Sequence, residues 1–80
     1  MEALKTGGNR VVGTKQVLRA LKAGTLKRVY VANDADTFLY QRIVLAADAA
    51  GVPVTRVPTM KELGQACGVD IGAAAAGLGA

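Results

Sequence analysis

The sequence has no histidine and no tryptophan, and its 80 residues include one cysteine, one phenylalanine and two tyrosines. Without histidine it lacks the commonest general base and the commonest metal ligand. No metal site and no cofactor is therefore expected. The single Cys67 rules out an internal disulfide framework and suits a reducing compartment, so the chain reads as cytoplasmic. Aromatic residues make up only 4% of the chain, which argues against a generic single-strand binder that stacks one base after another. There is no apolar run of membrane-spanning length. Met1-Glu2-Ala3-Leu4-Lys5 lacks the apolar stretch of a signal peptide. No GxxxxGK[ST] loop for nucleotide phosphates is present. Acidic side chains are also scarce, 6 against 10 Lys and Arg, leaving a net charge of +4.

What remains describes one small α/β domain spanning residues 1–80. The chain is 51% hydrophobic, enough to build a modest core without metal or disulfide staples. Its charge is unevenly placed. Residues 1–28 carry seven cations against Glu2, a net +6, whereas residues 29–80 carry three cations against five acids, a net −2. A basic half on so small a domain points to a polyanionic partner, with nucleic acid foremost; a merely solubilising surface is the plainer alternative.

Strand and helix patterns alternate along the chain. Residues 1–8 suit a short helix or an arm, and a strand end follows at Arg10–Val12. A helix is expected over Lys15–Ala23, capped by Thr14 and closed by Gly24. Lys27–Ala32 reads as a buried strand, and Asn33-Asp34-Ala35-Asp36 as a turn whose Asp36 caps a helix over Thr37–Ala50. That helix would bury Leu39, Ile43, Ala46 and Ala47. Val52–Val57 is a third strand with Pro53 at its start. Thr59 caps a helix over Met60–Cys67, with Glu62 placed for a capping box and Gly68 closing it. Val69–Gly72 is a loop, and the small residues from Ala73 to Ala80 form a last strand. The expected architecture is a three-layer α/β/α sandwich around a four-stranded mixed sheet.

The stretch from Val11 to Gly24 carries the chemistry. Val17, Leu18, Ala20 and Leu21 fall on one arc of its helix; Lys15, Gln16, Arg19 and Lys22 fall on the opposite arc. Gly13 lets the backbone turn sharply into the helix. Free N–H groups and the positive dipole end at the helix start favour an anion, and Lys15 and Arg19 strengthen that field. Asp34 and Asp36 lie where doubly wound proteins hold metals or phosphoacceptors, but turn and helix capping is the simpler reading. Cys67 has no histidine to activate it and reads as a buried small hydrophobe, as Tyr30 reads as core.

Three blocks in order, Gly13-Thr14-Lys15-Gln16, Ala32-Asn33-Asp34-Ala35-Asp36 and Met60-Lys61-Glu62-Leu63-Gly64-Gln65-Ala66-Cys67-Gly68, resemble the kink-turn-binding ribosomal-protein family of the "seven-Ae" and "thirty-e" large-subunit type. The similarity is strongest to its small bacterial members and runs from about Arg10 to Ala75. It implies the same α/β/α sandwich and a non-enzymatic protein that binds kink-turns, sharply bent RNA internal loops with tandem sheared G·A pairs, on ribosomal or other structured RNA. A monomer is expected. Carried across, Gly13 and Thr14 match the turn whose backbone approaches RNA. Lys15 and Gln16 match the positions that meet the G·A pairs, and Arg19 the basic position one turn on. Val69, Asp70, Ile71, Gly72 and Ala73 match the loop against flipped-out or unstacked nucleotides. The archaeal and eukaryotic pattern has Asn-Glu where this chain has Lys15-Gln16; the bacterial branch is similar to the Lys-Gln version. Lys22 joins the set as a further phosphate neighbour.

Two other readings stand beside this one. A small phosphate-ligand-binding enzyme would use the Gly13-Thr14 helix start for phosphate and Asp34 for chemistry, against the missing histidine and nucleotide motifs. A protein-interaction module of a larger assembly would use its basic face only to steer association.

Overall fold

Strand β1 (Arg10–Val12) opens the described part of the chain and pairs antiparallel with the last strand, β4 (Ala75–Gly79), with Val11 opposite Gly77. The computed structural model describes residues 9–79; the arm or helix expected over residues 1–8 lies outside them. Strand β2 (Leu26–Ala32) flanks β4 on its other side, again antiparallel, and β3 (Val54–Val57) lies parallel to β2 at the far edge. The order is β1-β4-β2-β3, a four-stranded mixed sheet. Strands β1, β2 and β3 thus run the same way and β4 runs against them.

Helices α1 (Thr14–Ala23) and α2 (Thr37–Ala49) cover one face of the sheet, and α3 (Met60–Ala66) covers the other. The alternating side chains of β2 show why both faces need a cover. Val29 and Val31 bury against Val17, Leu21, Ile43 and Ala47 of α1 and α2. Tyr30 and Ala32 bury against Leu63 and Cys67 on the α3 side. A period of two along a strand sends neighbours to opposite faces, so a strand buried on both sides is apolar throughout its inner length. The three-layer α/β/α expectation holds, and Tyr30 is core, 6% exposed.

Element ends follow their capping chemistry. Asp36 caps α2, its Oδ1 accepting from the N–H groups of Phe38 at 2.9 Å and Leu39 at 3.3 Å. Thr59 caps α3 by accepting from the Glu62 N–H at 3.1 Å, the threonine half of a capping box. Replacing Asp36 with alanine should lower stability by about 1 kcal/mol, read as an earlier denaturant midpoint with an unchanged slope; an unaltered midpoint would count against the cap.

Four expectations need adjusting. Thr14 is not the cap of α1: Gly13 occupies that position at φ 103° and ψ 146°, its carbonyl accepting from Val17 N–H at 3.0 Å, and Thr14 is the first helical residue. Only glycine adopts that backbone freely, and a Cβ there would meet nothing within 4 Å, so conformation and not space requires it. Strand β3 begins at Val54 and not at Val52. Pro53 has no N–H to donate, and the Val52 N–H closes α2 on the Ala47 carbonyl at 2.9 Å. Of the four residues expected inside α2, Ile43 and Ala47 are buried whereas Leu39 and Ala46 are only half-buried. Finally, element ends shift by a residue or two: α2 and α3 stop at Ala49 and Ala66, β2 begins at Leu26 and not Lys27, and the last strand begins at Ala75 and not Ala73. In the last strand a Cβ on Gly77 would lie 2.6 Å from Leu26 Cδ1 and 3.2 Å from Val11 Cγ2, so side chains of the neighbouring strands fill that space.

Candidate nucleic-acid interface

Because β1, β2 and β3 run one way and β4 the other, four connections gather at one end of the sheet. They are the Gly13 turn after β1, the 33–36 turn after β2, Pro58-Thr59 after β3, and the 68–74 loop leading into β4. Hydrogen bonds tie them together. Gly13 N–H donates to Ala75 carbonyl at 2.9 Å, Ala32 N–H to Ala74 carbonyl at 2.9 Å, and Asn33 N–H to Val57 carbonyl at 2.8 Å. The helix start with its cations and the loop of residues 69–73 are therefore brought to the same end of the molecule.

The start of α1 is built unlike a helix that only needs to be stable. No side chain caps it, and its first turn contains no acid. The N–H groups of Thr14, Lys15 and Gln16 precede the first intrahelical bond, which Val17 makes to Gly13. Lys15 lies at the positive end of the dipole, where a cation costs about 0.3–1 kcal/mol. Lys15, Arg19 and Lys22 follow one another at spacings of four and three along the exposed side, where like charges repel. Among the described residues, none of Lys15, Gln16, Arg19 or Lys22 forms a side-chain hydrogen bond or ion pair, and all four are exposed. The opposite side of α1 is buried through Val17 and Leu21. The arrangement gives up helix stability and offers three donors and three cations to an anion.

The 69–73 loop is more mixed than its sequence suggests. Asp70, Ile71 and Gly72 are exposed, Ile71 at 78%. Val69 is half-buried against the α3-side core, and the Ala73 side chain is buried at 5% exposure. These two anchor the loop, so only the middle three residues present side chains or open backbone to a partner. Ala73 N–H donates to Met60 carbonyl at 3.0 Å and Val69 N–H to Gly64 carbonyl at 3.0 Å, seating both loop ends on α3.

Two residues outside the expected set position this end of the molecule. Asp34 Oδ1 accepts from Met60 N–H at 2.7 Å, so the β2–α2 turn holds the first residue of α3. Nothing local in the sequence marks that pairing across 26 positions. Gly64 packs its bare Cα against the Ile71 carbonyl, leaving no room for a Cβ. A glycine in the middle of a short helix is the signal that could have flagged such an approach. Asp34 and Asp36 are thus both engaged in capping, as their simpler reading had it, and no group of three or more potential metal ligands occurs among the described residues. Cys67 is fully buried at the end of α3; burial pushes its thiol pKa up, with Arg10 opposing in part. It remains a thiol and a core residue, not a nucleophile. No helix of the described residues is long and apolar enough to cross a membrane.

Comparison with known proteins places this geometry in a family. Residues 1–78 match the ribosomal protein L7Ae/L30e/S12e/Gadd45 family. An RNA-binding protein of Geobacillus kaustophilus, GK0100, is 47% identical over 77 residues, covering 96% of this chain and 94% of that protein. The large ribosomal subunit protein eL8 of Haloquadratum walsbyi is 33% identical over 82 residues, covering 98% of this chain and 66% of that protein. Among solved structures, a Giardia lamblia 15.5kD RNA binding protein superposes with a TM-score of 0.89 at 25% identity, covering 99% of this chain and 67% of that one. These relatives are named as RNA-binding or ribosomal proteins, and the Asp34 carboxylate that the enzyme reading needs is engaged by the Met60 N–H. With its fold, its family match and its relatives agreeing, the chain belongs to the ribosomal protein L7Ae/L30e/S12e/Gadd45 family.

Proposed function

We propose that this protein is a monomeric RNA-binding protein that recognises kink-turns in structured RNA, ribosomal RNA included, and stabilises the bent form. The observation that carries the reading is the uncapped, acid-free start of α1, with Lys15, Gln16 and Arg19 exposed and unpaired among the described residues, at the same end of the sheet as exposed Ile71. The family and the relatives named as RNA-binding proteins support it.

Each part of the surface has its own contribution. Lys15, Arg19 and Lys22 neutralise phosphates along the outer side of α1, a sequence-independent and salt-sensitive attraction. The N–H groups of Thr14, Lys15 and Gln16 approach the backbone closely because Gly13 has no side chain to hold RNA away. The Gln16 amide both donates and accepts, which suits a base edge exposed by sheared pairing. A regular A-form major groove is too narrow for such side chains, so a bent internal loop is the accessible form. Asp70, Ile71 and Gly72 face unstacked nucleotides. Because the kinked RNA gains these contacts and the extended RNA does not, binding shifts the conformational equilibrium towards the kink.

The test is binding to two matched duplexes, one with tandem G·A pairs and a kink-turn loop, the other with Watson–Crick pairs in their place. The kink-turn RNA should bind at least about 100-fold more tightly at near-physiological salt, a difference of roughly 3 kcal/mol. Equal affinities, both falling steeply with salt, would reduce the surface to a basic patch without shape recognition.

A further inference from the structure

We infer that the groove between the later halves of α1 and α2 docks an acidic amphipathic helix of a protein partner, at a site separate from the RNA surface. The groove measures about 340 Å³ and is lined by Leu18, Leu21 and Lys22 of α1 and by Ala46, Ala49 and Ala50 at the close of α2. Leu21 is buried, Leu18 and Ala46 are half-buried, and Ala49 and Ala50 are exposed. Leu45, 69% exposed, precedes Ala49 by one turn and carries the apolar surface out beyond the groove. Of the 13 residues of α2 only Arg42 and Asp48 are charged, and its apolar side chains run past the arc that buries Ile43 and Ala47. A helix on a sheet needs one apolar stripe; a helix apolar on further sides is one that is covered there too.

The groove lies away from the RNA surface. Both helices start at the end of the sheet that carries Gly13 and the 69–73 loop, and both run away from it. At a rise of about 1.5 Å per residue, Ala46 and Ala50 lie about 14 and 20 Å beyond Thr37. RNA held at the helix starts therefore leaves the groove open.

Charge selects the occupant. Lys22 lines one wall, with Arg19 one turn before it, and Arg42, four residues before Ala46, shares the groove side of α2. All three are exposed, and none forms a side-chain hydrogen bond or ion pair among the described residues. Asp48 is the only acid in either helix. It falls about 200° round α2 from Ala46, on the side away from the groove. RNA would satisfy these cations but leave Leu18, Leu45 and the alanines in water. A second copy would set the same cations against each other, because a two-fold interface brings one patch onto itself. A helix with leucine-type side chains on one face and Asp or Glu along its flanks matches both halves of the site. The small alanines of α2 let its backbone come close.

The test titrates the full chain with fluorescein-labelled helical peptides of about 20 residues. One has leucines at i, i+3, i+4 and i+7 flanked by glutamates, a second has lysine for glutamate, and a third is scrambled. Wild type should bind the glutamate peptide saturably below about 1 mM and at least about 10-fold more tightly than either control. R42E should weaken that binding at least about 5-fold and strengthen binding of the lysine peptide. L45A should weaken it about 5- to 10-fold, with an unchanged melting temperature because the side chain is exposed. Amide shifts should centre on Leu18, Ala46 and Ala49. Saturating kink-turn RNA should leave the peptide bound; displacement would make the groove part of the RNA surface and overturn the proposal. No saturable binding, equal binding of the lysine peptide, or an unaltered R42E would overturn it as well. So would a dimer of the protein in sedimentation that L45A abolishes, since a second copy would then fill the groove. The peptide titration needs no RNA, so a failure of kink-turn recognition and a failure of this docking site are read separately.

Discussion

The double variant K15A/R19A is expected to lose at least about 100-fold in affinity for kink-turn RNA while keeping or slightly raising its melting temperature. A hydrogen bond to a charged group contributes about 1.5–3 kcal/mol, so two lost phosphate contacts account for that factor even at the low end. The dependence of affinity on salt should flatten as well, by about 0.7–0.9 in the log–log slope for each contact removed. Stability should not suffer, because neither side chain has an ion-pair or hydrogen-bond partner among the described residues and both are exposed. Lys15 opposes the dipole of α1, and the cations of that helix repel one another, so each removal relieves a few tenths of a kcal/mol. The pairing of results is what discriminates. A merely solubilising face would leave RNA binding intact, and a structural face would lower the melting temperature. Retained affinity with an unchanged salt slope would remove α1 from the interface altogether.

Most of the architecture was legible because it rests on short-range rules. The alternation in Lys27–Ala32, the caps at Asp36 and Thr59, and the left-handed glycines after α1 and α3 each declare themselves within a few residues. The glycine of Gly13-Thr14 was legible as a turn, but which of the two residues occupied the cap depended on a backbone angle that both could not adopt. The cationic side of α1 was equally plain from its periodicity. The loop of residues 69–73 was harder, since nothing in Val69-Asp70-Ile71-Gly72-Ala73 tells which side chains turn inward. Val69 and Ala73 are anchors only because α3 and the sheet edge lie beneath them. Asp34 shows the same limit. Its residue type announces a cap, but its partner, Met60, is brought to it by the parallel β2–β3 pairing and the chain's return through Pro58 and Thr59.

The substitution G64A should destabilise the protein by about 1–3 kcal/mol, the usual cost of overpacking, although alanine in place of glycine inside a helix normally stabilises. The ordinary gain, about 1 kcal/mol, comes from reduced backbone freedom in the unfolded chain and better helix propensity. Here the space for a Cβ is filled by the backbone carbonyl of Ile71, with the Gly72 Cα 3.1 Å away, and no flexible side chain is available to give way. The loop must move, and it is held at both ends by hydrogen bonds to the same helix, Val69 to Gly64 and Ala73 to Met60. Losing or lengthening the two outweighs the helix gain, since each contributes about 0.5–1.5 kcal/mol and a buried group left unpaired costs more. For a domain of this size a loss of 1 kcal/mol lowers the melting temperature by about 4–8 °C. The displacement also moves exposed Ile71 at the end of the sheet that carries the start of α1. Affinity for kink-turn RNA should fall by about 10-fold or more, on the scale of a single base contact, and binding to a fully paired duplex should change little because the α1 cations are untouched. A variant that melts higher than wild type and binds kink-turn RNA equally well would show that the loop has a second seating on α3, and that its position contributes nothing to recognition.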